Sequence, residues 1–209
     1  MDEIKIDQGL STSDLCIQYG REMLTSQLPL TEKKGYDFAP PFHEMIVHLY
    51  LLGVMWRHGE SLNLLIASRE QALAALRLML VNAGMNNNKS LKHIVFLDKM
   101  SRIKDGSDAL ALTAGYQATL NDGSLDMVFD EHRDETRTSG ALWRLYDRSK
   151  KIMLMGGGAA AFIAIWFVTI FIPSSTGMAI LTAGIIAAAF IVIPTFIIGM
   201  LIYRIKFKN

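Results

Sequence analysis

The pattern of apolar and polar residues divides the chain into two parts. Over the first 151 residues, apolar positions recur at helical spacing between polar ones, whereas no Asp, Glu, Lys, Arg or His occurs from Ile152 to Tyr203. Apolar residues at helical spacing predict amphipathic helices that bury one face. The alternating apolar runs and tight turns of hairpins are missing. We therefore predict an all-α protein, in which an irregular helical bundle precedes a strongly apolar C-terminal segment.

Capping and turn residues predict the bounds of the helices in the first part. The segment Ser11-Thr12-Ser13-Asp14 is typical of a helix start, and the first helix is expected to run to about Gln27. A loop is expected over residues 29–41, which contain three prolines and Gly35. Further helices are predicted over about 41–59, 61–84, 90–105, 107–120, and from 124 towards the membrane with an interruption at Ser139-Gly140.

The second of these helices is expected to form the centre of the bundle. Its middle, Met45 to Trp56, is apolar except for His48 and Gly53. About a dozen apolar residues are too few to cross a bilayer. Apolar residues on every side of a helix require neighbours on every side. We therefore predict a helix enclosed by the others.

Two long apolar runs follow, over residues 152–173 and 177–203. About 20 apolar residues span the roughly 30 Å core of a bilayer, so each run is long enough. Backbone groups inside the hydrocarbon must satisfy their own hydrogen bonds, which favours helices. Two buried helices of a soluble core would normally have a polar face or a charged connection, and the link Ser174-Ser175-Thr176 has no charge. The sequence predicts a two-helix transmembrane hairpin.

Basic residues flank both runs but are missing from the link between them. This asymmetry predicts that both ends of the hairpin lie in the cytoplasm. The expected domains are a cytoplasmic helical domain over 1–151, the hairpin over 152–203 and a short basic cytoplasmic tail over 204–209. The residues expected at the membrane interface are Arg144, Arg148, Lys150, Lys151, Arg204, Lys206 and Lys208.

Small residues recur every four positions in both runs. Such spacing allows two helix backbones to approach closely. The pattern is compatible with pairing inside one hairpin, which we favour, and also with association of two copies of the chain. Pro194 interrupts the ladder of the second helix and predicts a kink. The residues expected at helix contacts are Gly156, Ala160, Ala164, Ala179, Ala183 and Ala187.

Charge and cysteine content exclude some classes of function. All 20 acidic residues and 18 of the 21 basic ones precede Ile152, which leaves the first part near −2. Nucleic-acid binding through phosphate contacts needs a basic excess, so no nucleic-acid partner is expected. Cys16 is the only cysteine, which favours a reducing compartment. The polar N-terminus is not expected to be a signal peptide.

No group of residues has the spacing of a catalytic or metal site. His43 and His48 lie five positions apart, whereas zinc-protease histidines lie four apart on one helix face. Gly156-Gly157-Gly158 has no following Lys-Ser/Thr and is not a phosphate loop. The charged run from Asp130 to Glu135 is interpreted as a solvated helix face. We expect no catalytic residues, no metal and no cofactor.

The sequence therefore favours a protein that binds other proteins at a membrane. We predict an accessory subunit or regulator of a bacterial inner-membrane assembly, such as a secretion or conjugation apparatus. Its expected partners are the lipid bilayer, other proteins of the membrane complex and a second copy of the chain. A protective membrane protein that blocks a foreign element or a toxin is the alternative. A membrane-bound enzyme acting on lipid or nucleotide is a third class.

Overall fold

A computed structural model describes residues 11–62, 68–103, 107–135 and 138–207. Within these ranges the regular structure is helical and no β-strand is formed, which confirms the all-α prediction for the described residues. The chain separates into two compact units, residues 1–138 and residues 139–209. The predictions for the first ten residues and for Lys208 lie outside the described ranges.

The described residues of the first unit form six helices. The Ser11 hydroxyl accepts a hydrogen bond from the backbone N–H of Asp14 at 3.3 Å, and the Asp14 carboxylate accepts one from the backbone N–H of Ser11 at 3.2 Å. This reciprocal pair is a capping box, and it confirms the predicted start of the first helix. The helices are α1 (Thr12–Glu32), α2 (Pro40–Ser61), α3 (Ser68–Asn82), α4 (Asn87–Met100), α5 (Ser107–Gln117) and α6 (Ser124–Glu131).

Helix α1 continues past the end predicted at Gln27 and includes Pro29. The Gln27 amide is buried and donates to the Asp122 carboxylate at 2.8 Å and to the Thr119 carbonyl at 3.2 Å. Thr31 is also buried, and its hydroxyl donates to the carbonyl of Leu28. These contacts hold the last turns of the helix although proline lacks an N–H. The loop predicted from residue 29 is therefore wrong in its first four positions.

Helix α2 lies at the centre of the first unit, as the apolar pattern predicts. Its middle turns are buried, and α2 and α5 cross at Gly53 and Gly115. A Cβ atom added to Gly53 would lie 2.6 Å from the backbone nitrogen of Tyr116, and one added to Gly115 would lie 2.8 Å from the carbonyl carbon of Tyr50. The two helices therefore meet backbone to backbone. The core residues of α2 are Ile46, Val47, Leu49, Tyr50, Leu51, Leu52, Val54 and Met55.

The charged run near residue 130 is not one solvated helix face. Helix α6 ends at Glu131, and the side chain of His132 is buried. The buried hydroxyl of Thr138 donates to the carbonyl of His132 at 3.1 Å. The interruption predicted at Ser139-Gly140 is therefore longer than expected, because the helix from Ser124 ends where the chain turns inward at His132. The next helix begins at Gly140, with Ser139 as its N-cap.

The second unit consists of two long helical stretches. Helix α7 (Gly140–Lys151) continues through a π-helical turn (Ile152–Gly156) into α8 (Gly157–Phe171), and α9 extends over Gly177–Phe207. The stretches Gly140–Phe171 and Gly177–Ile205 are long and apolar enough to cross a membrane. Their large apolar side chains point outward. Exposed examples are Leu154, Met155, Phe162, Ile163, Phe171, Met178, Ile185, Phe190, Phe196 and Ile205.

Candidate functional site

Small residues form the contact between α8 and α9. Gly157 and Gly184 are buried. A Cβ atom added to Gly157 would lie 3.1 Å from Cγ2 of Val192, and one added to Gly184 would lie 2.9 Å from Cδ1 of Ile165. Each glycine thus accepts an aliphatic side chain of the opposite helix. Among the residues expected at helix contacts, Gly156, Ala160, Ala164, Ala183 and Ala187 are half-buried, whereas Ala179 is exposed.

Basic side chains lie on α7 and at the C-terminal end of α9. Arg144, Arg148, Lys150, Lys151 and Arg204 are all exposed. The Lys151 ammonium forms an ion pair with Asp147 at 2.7 Å. The backbone of Lys206 is helical, but its side chain and the whole of Lys208 lie outside the described structure. Helix α7 therefore has positive charge in its last two turns, directly before the apolar stretch begins.

A groove of about 700 Å³ runs between α7 with its π-helical turn and the end of α9. Its walls are almost wholly apolar, and its volume lies in the range of roughly 300–1,000 Å³ typical of small-molecule sites. Ser149 and Lys150 are among its polar lining residues. The lining residues are Leu142, Leu145, Tyr146, Ser149, Lys150, Met153, Leu154, Phe196, Gly199, Met200 and Tyr203.

In the first unit, helix α4 has an apolar outer face. Its inner side buries Ser90 and Leu97. On the opposite side Leu91, Val95 and Phe96 are exposed by 40–50%, and the exposed Lys92 and Lys99 lie between and beside them. Contiguous apolar patches are uncommon on the surface of soluble domains, and where they occur they often mark interaction sites. We define these five residues as the α4 face.

Two histidines that are far apart in sequence meet behind this helix. Nδ1 of His48 on α2 lies 2.8 Å from Nε2 of His93 on α4. Burial, together with the neighbouring His93 and His43, lowers the pKa of His48 to about 4. Burial also lowers the pKa of His93, while Glu44 acts in the opposite direction. The two histidines are 45 positions apart on different helices, so the spacing of histidines along the sequence gives no sign of this contact.

A polar network ties α6 to the turn that follows α1. The Tyr36 hydroxyl lies 2.8 Å from carboxylate oxygens of both Asp126 and Asp130. The Lys34 ammonium pairs with both carboxylates, and it holds the pKa of Asp130 below its usual range together with Tyr36. The guanidinium of Arg133 lies over the Tyr36 ring. All charges in this network are matched, so the arrangement fits a structural clamp.

Two further features of the first unit are a small cavity and a buried thiol. The cavity beside Tyr36, lined also by His43 and Phe129, has a volume of about 190 Å³, below the range of typical ligand sites. Burial raises the pKa of the Cys16 thiol, which makes it a poor nucleophile. Within the described residues, no three His, Cys, Asp or Glu side chains form a group that could hold a metal ion.

The chain matches no protein-family model, no curated protein and no solved structure. Two surfaces of the chain stand out. One is the α4 face in the first unit, and the other is formed by the apolar helices and their basic flanking residues in the second.

Proposed function

We propose that this protein is a membrane-anchored interaction module, whose helical first unit binds a partner protein through the α4 face. The observation that carries the proposal is the outward position of Leu91, Val95 and Phe96 on a helix whose other side is packed. In water, covering such a face with a partner lowers the free energy, because apolar surface is removed from the solvent. Lys92 and Lys99, which lie between and beside the apolar residues of this face, favour a partner segment that combines apolar and acidic residues.

The second unit supplies the anchor in this proposal. Its two long helices expose large apolar side chains over most of their length, and lipid tails satisfy such surfaces. The basic residues of α7 and the tail, together with a link free of charge, favour a hairpin with both ends in the cytoplasm. The protein would then act as an accessory subunit or regulator of a bacterial inner-membrane assembly, such as a secretion or conjugation apparatus.

Affinity purification of the full chain in mild detergent tests the role of the α4 face. The variant Val95→Glu/Phe96→Glu should lose specific partner chains that the wild-type protein recovers, because two carboxylates are placed on the contact. Met127→Glu is the matched control: Met127 is 54% exposed on α6 and lies outside the face. Equal recovery of every partner by the double variant and the control would refute the α4 face as the binding surface.

Cysteine labelling tests the anchor independently. Cys16 is buried, so a Ser175→Cys variant supplies one accessible thiol. It should react with an impermeant reagent added outside intact cells, and a reporter fused after Asn209 should be cytoplasmic. Labelling of residue 175 only after the cells are opened would contradict the proposed orientation.

A further inference from the structure

We propose that the groove between α7 and α9 binds one anionic phospholipid, with an acyl chain along its apolar walls and the phosphate at Lys150. The inference rests on the proposed insertion of the second unit into a bilayer. All lining residues belong to that unit. A lipid held between two helices of one chain is a bound ligand and differs from the lipid that surrounds any membrane protein.

Gly199 of α9 lines the groove together with residues of α7. A Cβ atom added to Gly199 would lie 3.6 Å from Oγ of Ser149, which is an ordinary contact. A long side chain at position 199 would therefore take up part of the groove. Met153, Phe196 and Met200 form the walls around it. Unbranched methionines adapt to a flexible chain, which fits an acyl chain as occupant.

The polar margin of the groove selects the headgroup. Lys150 is exposed and forms no ion pair with the described residues, whereas its neighbour Lys151 is paired with Asp147. The Ser149 hydroxyl lies at the same level, and Tyr146 and Tyr203 add amphipathic rings that are favoured where lipid meets water. Charge ends at Lys151, because no ionisable residue except Tyr203 lies between it and Arg204. A phosphate bound by Lys150 would therefore lie at the level of the lipid headgroups, and an acyl chain of the same lipid would enter the groove.

Native mass spectrometry of the full chain tests the proposal. The protein is reconstituted into vesicles of phosphatidylcholine and phosphatidylglycerol, extracted in mild detergent, and scored for phospholipid that stays bound. The wild-type chain should retain one phosphatidylglycerol. Lys150→Gln should lower the affinity about fivefold, the factor contributed by one basic residue at an anionic surface. Lys151→Gln is the matched control and should retain the lipid, because Asp147 already neutralises Lys151.

A second pair of variants tests the apolar part. Gly199→Leu should abolish retention because the new side chain extends into the groove, whereas Gly158→Leu should not, since a Cβ atom at Gly158 meets open space. Equal retention of phosphatidylcholine and phosphatidylglycerol, or release of the lipid by inorganic phosphate alone, would overturn the proposed mode of binding.

Extraction of the vesicles with carbonate distinguishes failure of the groove proposal from failure of the proposed anchor. A chain that resists extraction but retains no lipid refutes the groove alone, whereas a chain that is extracted refutes the anchor as well.

Discussion

The two units of this protein place the same kinds of side chain in opposite positions. In the first unit the large aliphatic residues are inside, and Leu52 on α2 has no exposed surface. In the second unit the large residues are outside, and Phe190 on α9 is 74% exposed, while Gly157 and Gly184 occupy the helix contact. Burial of apolar area stabilises a fold in water. An arrangement with small residues inside and large ones outside suits a surrounding solvent that is itself apolar.

Glycine serves close helix packing in both units, but the groups that it meets differ. At the crossing of α2 and α5, Gly53 and Gly115 face the backbone of the opposite helix. At the crossing of α8 and α9, Gly157 and Gly184 face the ends of Val192 and Ile165 side chains. An aliphatic side chain can rotate away from an added methyl group, whereas a backbone cannot. The first unit should therefore tolerate glycine replacement less well than the second.

The largest expected effect is that of Gly115→Ala. The added methyl group would overlap the carbonyl group of Tyr50, so the helices must separate. We expect a loss of more than about 3 kcal/mol in the free energy of unfolding, above the usual 1–3 kcal/mol for an overpacked core. Urea unfolding of a fragment comprising residues 1–138 measures it. Gly59→Ala is the control on α2, because its methyl group would make ordinary contacts at 3.5 Å or more with Ser68. Equal stability of the two variants would contradict the backbone contact.

Leu52→Ala should have the next largest effect. Leu52 is fully buried on α2, and its truncation removes apolar contacts and leaves a cavity. Such substitutions cost about 2–5 kcal/mol, a large share of the 5–15 kcal/mol that stabilises a typical domain. The same unfolding measurement applies. If the stability of the fragment is unchanged, then α2 is not the centre of the first unit.

The sequence predicted the elements of this fold better than their contacts. The helix start at Ser11 and the buried centre of α2 follow from local patterns: a capping box and a run of apolar residues. The extension of α1 past Pro29 does not, since it depends on hydrogen bonds from Gln27 to residues more than 90 positions away. The backbone contact at Gly53 and Gly115 is likewise invisible to periodicity, because a glycine inside an apolar run gives no sign of what it faces.

The candidate surfaces show the same limit. The basic margin of the apolar helices can be identified from composition, because charge stops at Ile152. The groove cannot, since it depends on how α7 and α9 approach each other near Gly199. The outer face of α4 was also missed. Leu91 and Val95 are apolar, yet both are exposed, because the buried side of the short helix centres on Ser90 and Leu97. A partner helix decides which of several apolar residues is covered.

A third prediction concerns pH and applies only to the first unit, which contains the histidines. The pKa of His48 is about 4 in the folded protein, against an ordinary value of 6.5. The unfolded chain therefore binds more protons between these values, so the free energy of unfolding should fall as the pH is lowered from about 6.5 to 4. Lowered pKa values at His43, His58 and His93 act in the same direction. We expect a loss on the order of 1–3 kcal/mol, measured by urea unfolding of residues 1–138.

A matched variant assigns this pH dependence to the histidine pair. His48→Asn keeps a polar side chain but does not titrate, so it should reduce the loss between pH 6.5 and 4. The part that remains is due to His43, His58 and His93. Asp130, whose pKa is lowered by Lys34 and Tyr36, contributes mainly below about pH 4, where the unfolded carboxyl takes up its proton. An unchanged slope in His48→Asn would show that the buried pair does not cause the effect.

The smallest expected effect is that of Phe190→Ala, and it tests the contrast between the units directly. Removal of an aromatic ring costs little free energy of unfolding whether the ring faces water or lipid. The alanine substitution alone therefore cannot distinguish a water-exposed face from a lipid-exposed one. The distinction comes from pairing it with Phe190→Lys, because a charge in the hydrocarbon costs about 2.5–3.5 kcal/mol whereas a lysine on a water-exposed helix costs almost nothing. For the full chain in nanodiscs, Phe190→Ala should change the midpoint of thermal unfolding very little. Phe190→Lys should reduce the fraction of chain that resists carbonate extraction, because this position lies 13 residues into α9, near the middle of the apolar stretch. If Phe190→Lys resists carbonate extraction as fully as the wild-type chain, this face of α9 does not contact the hydrocarbon. A protein partner would then have to cover the large apolar residues.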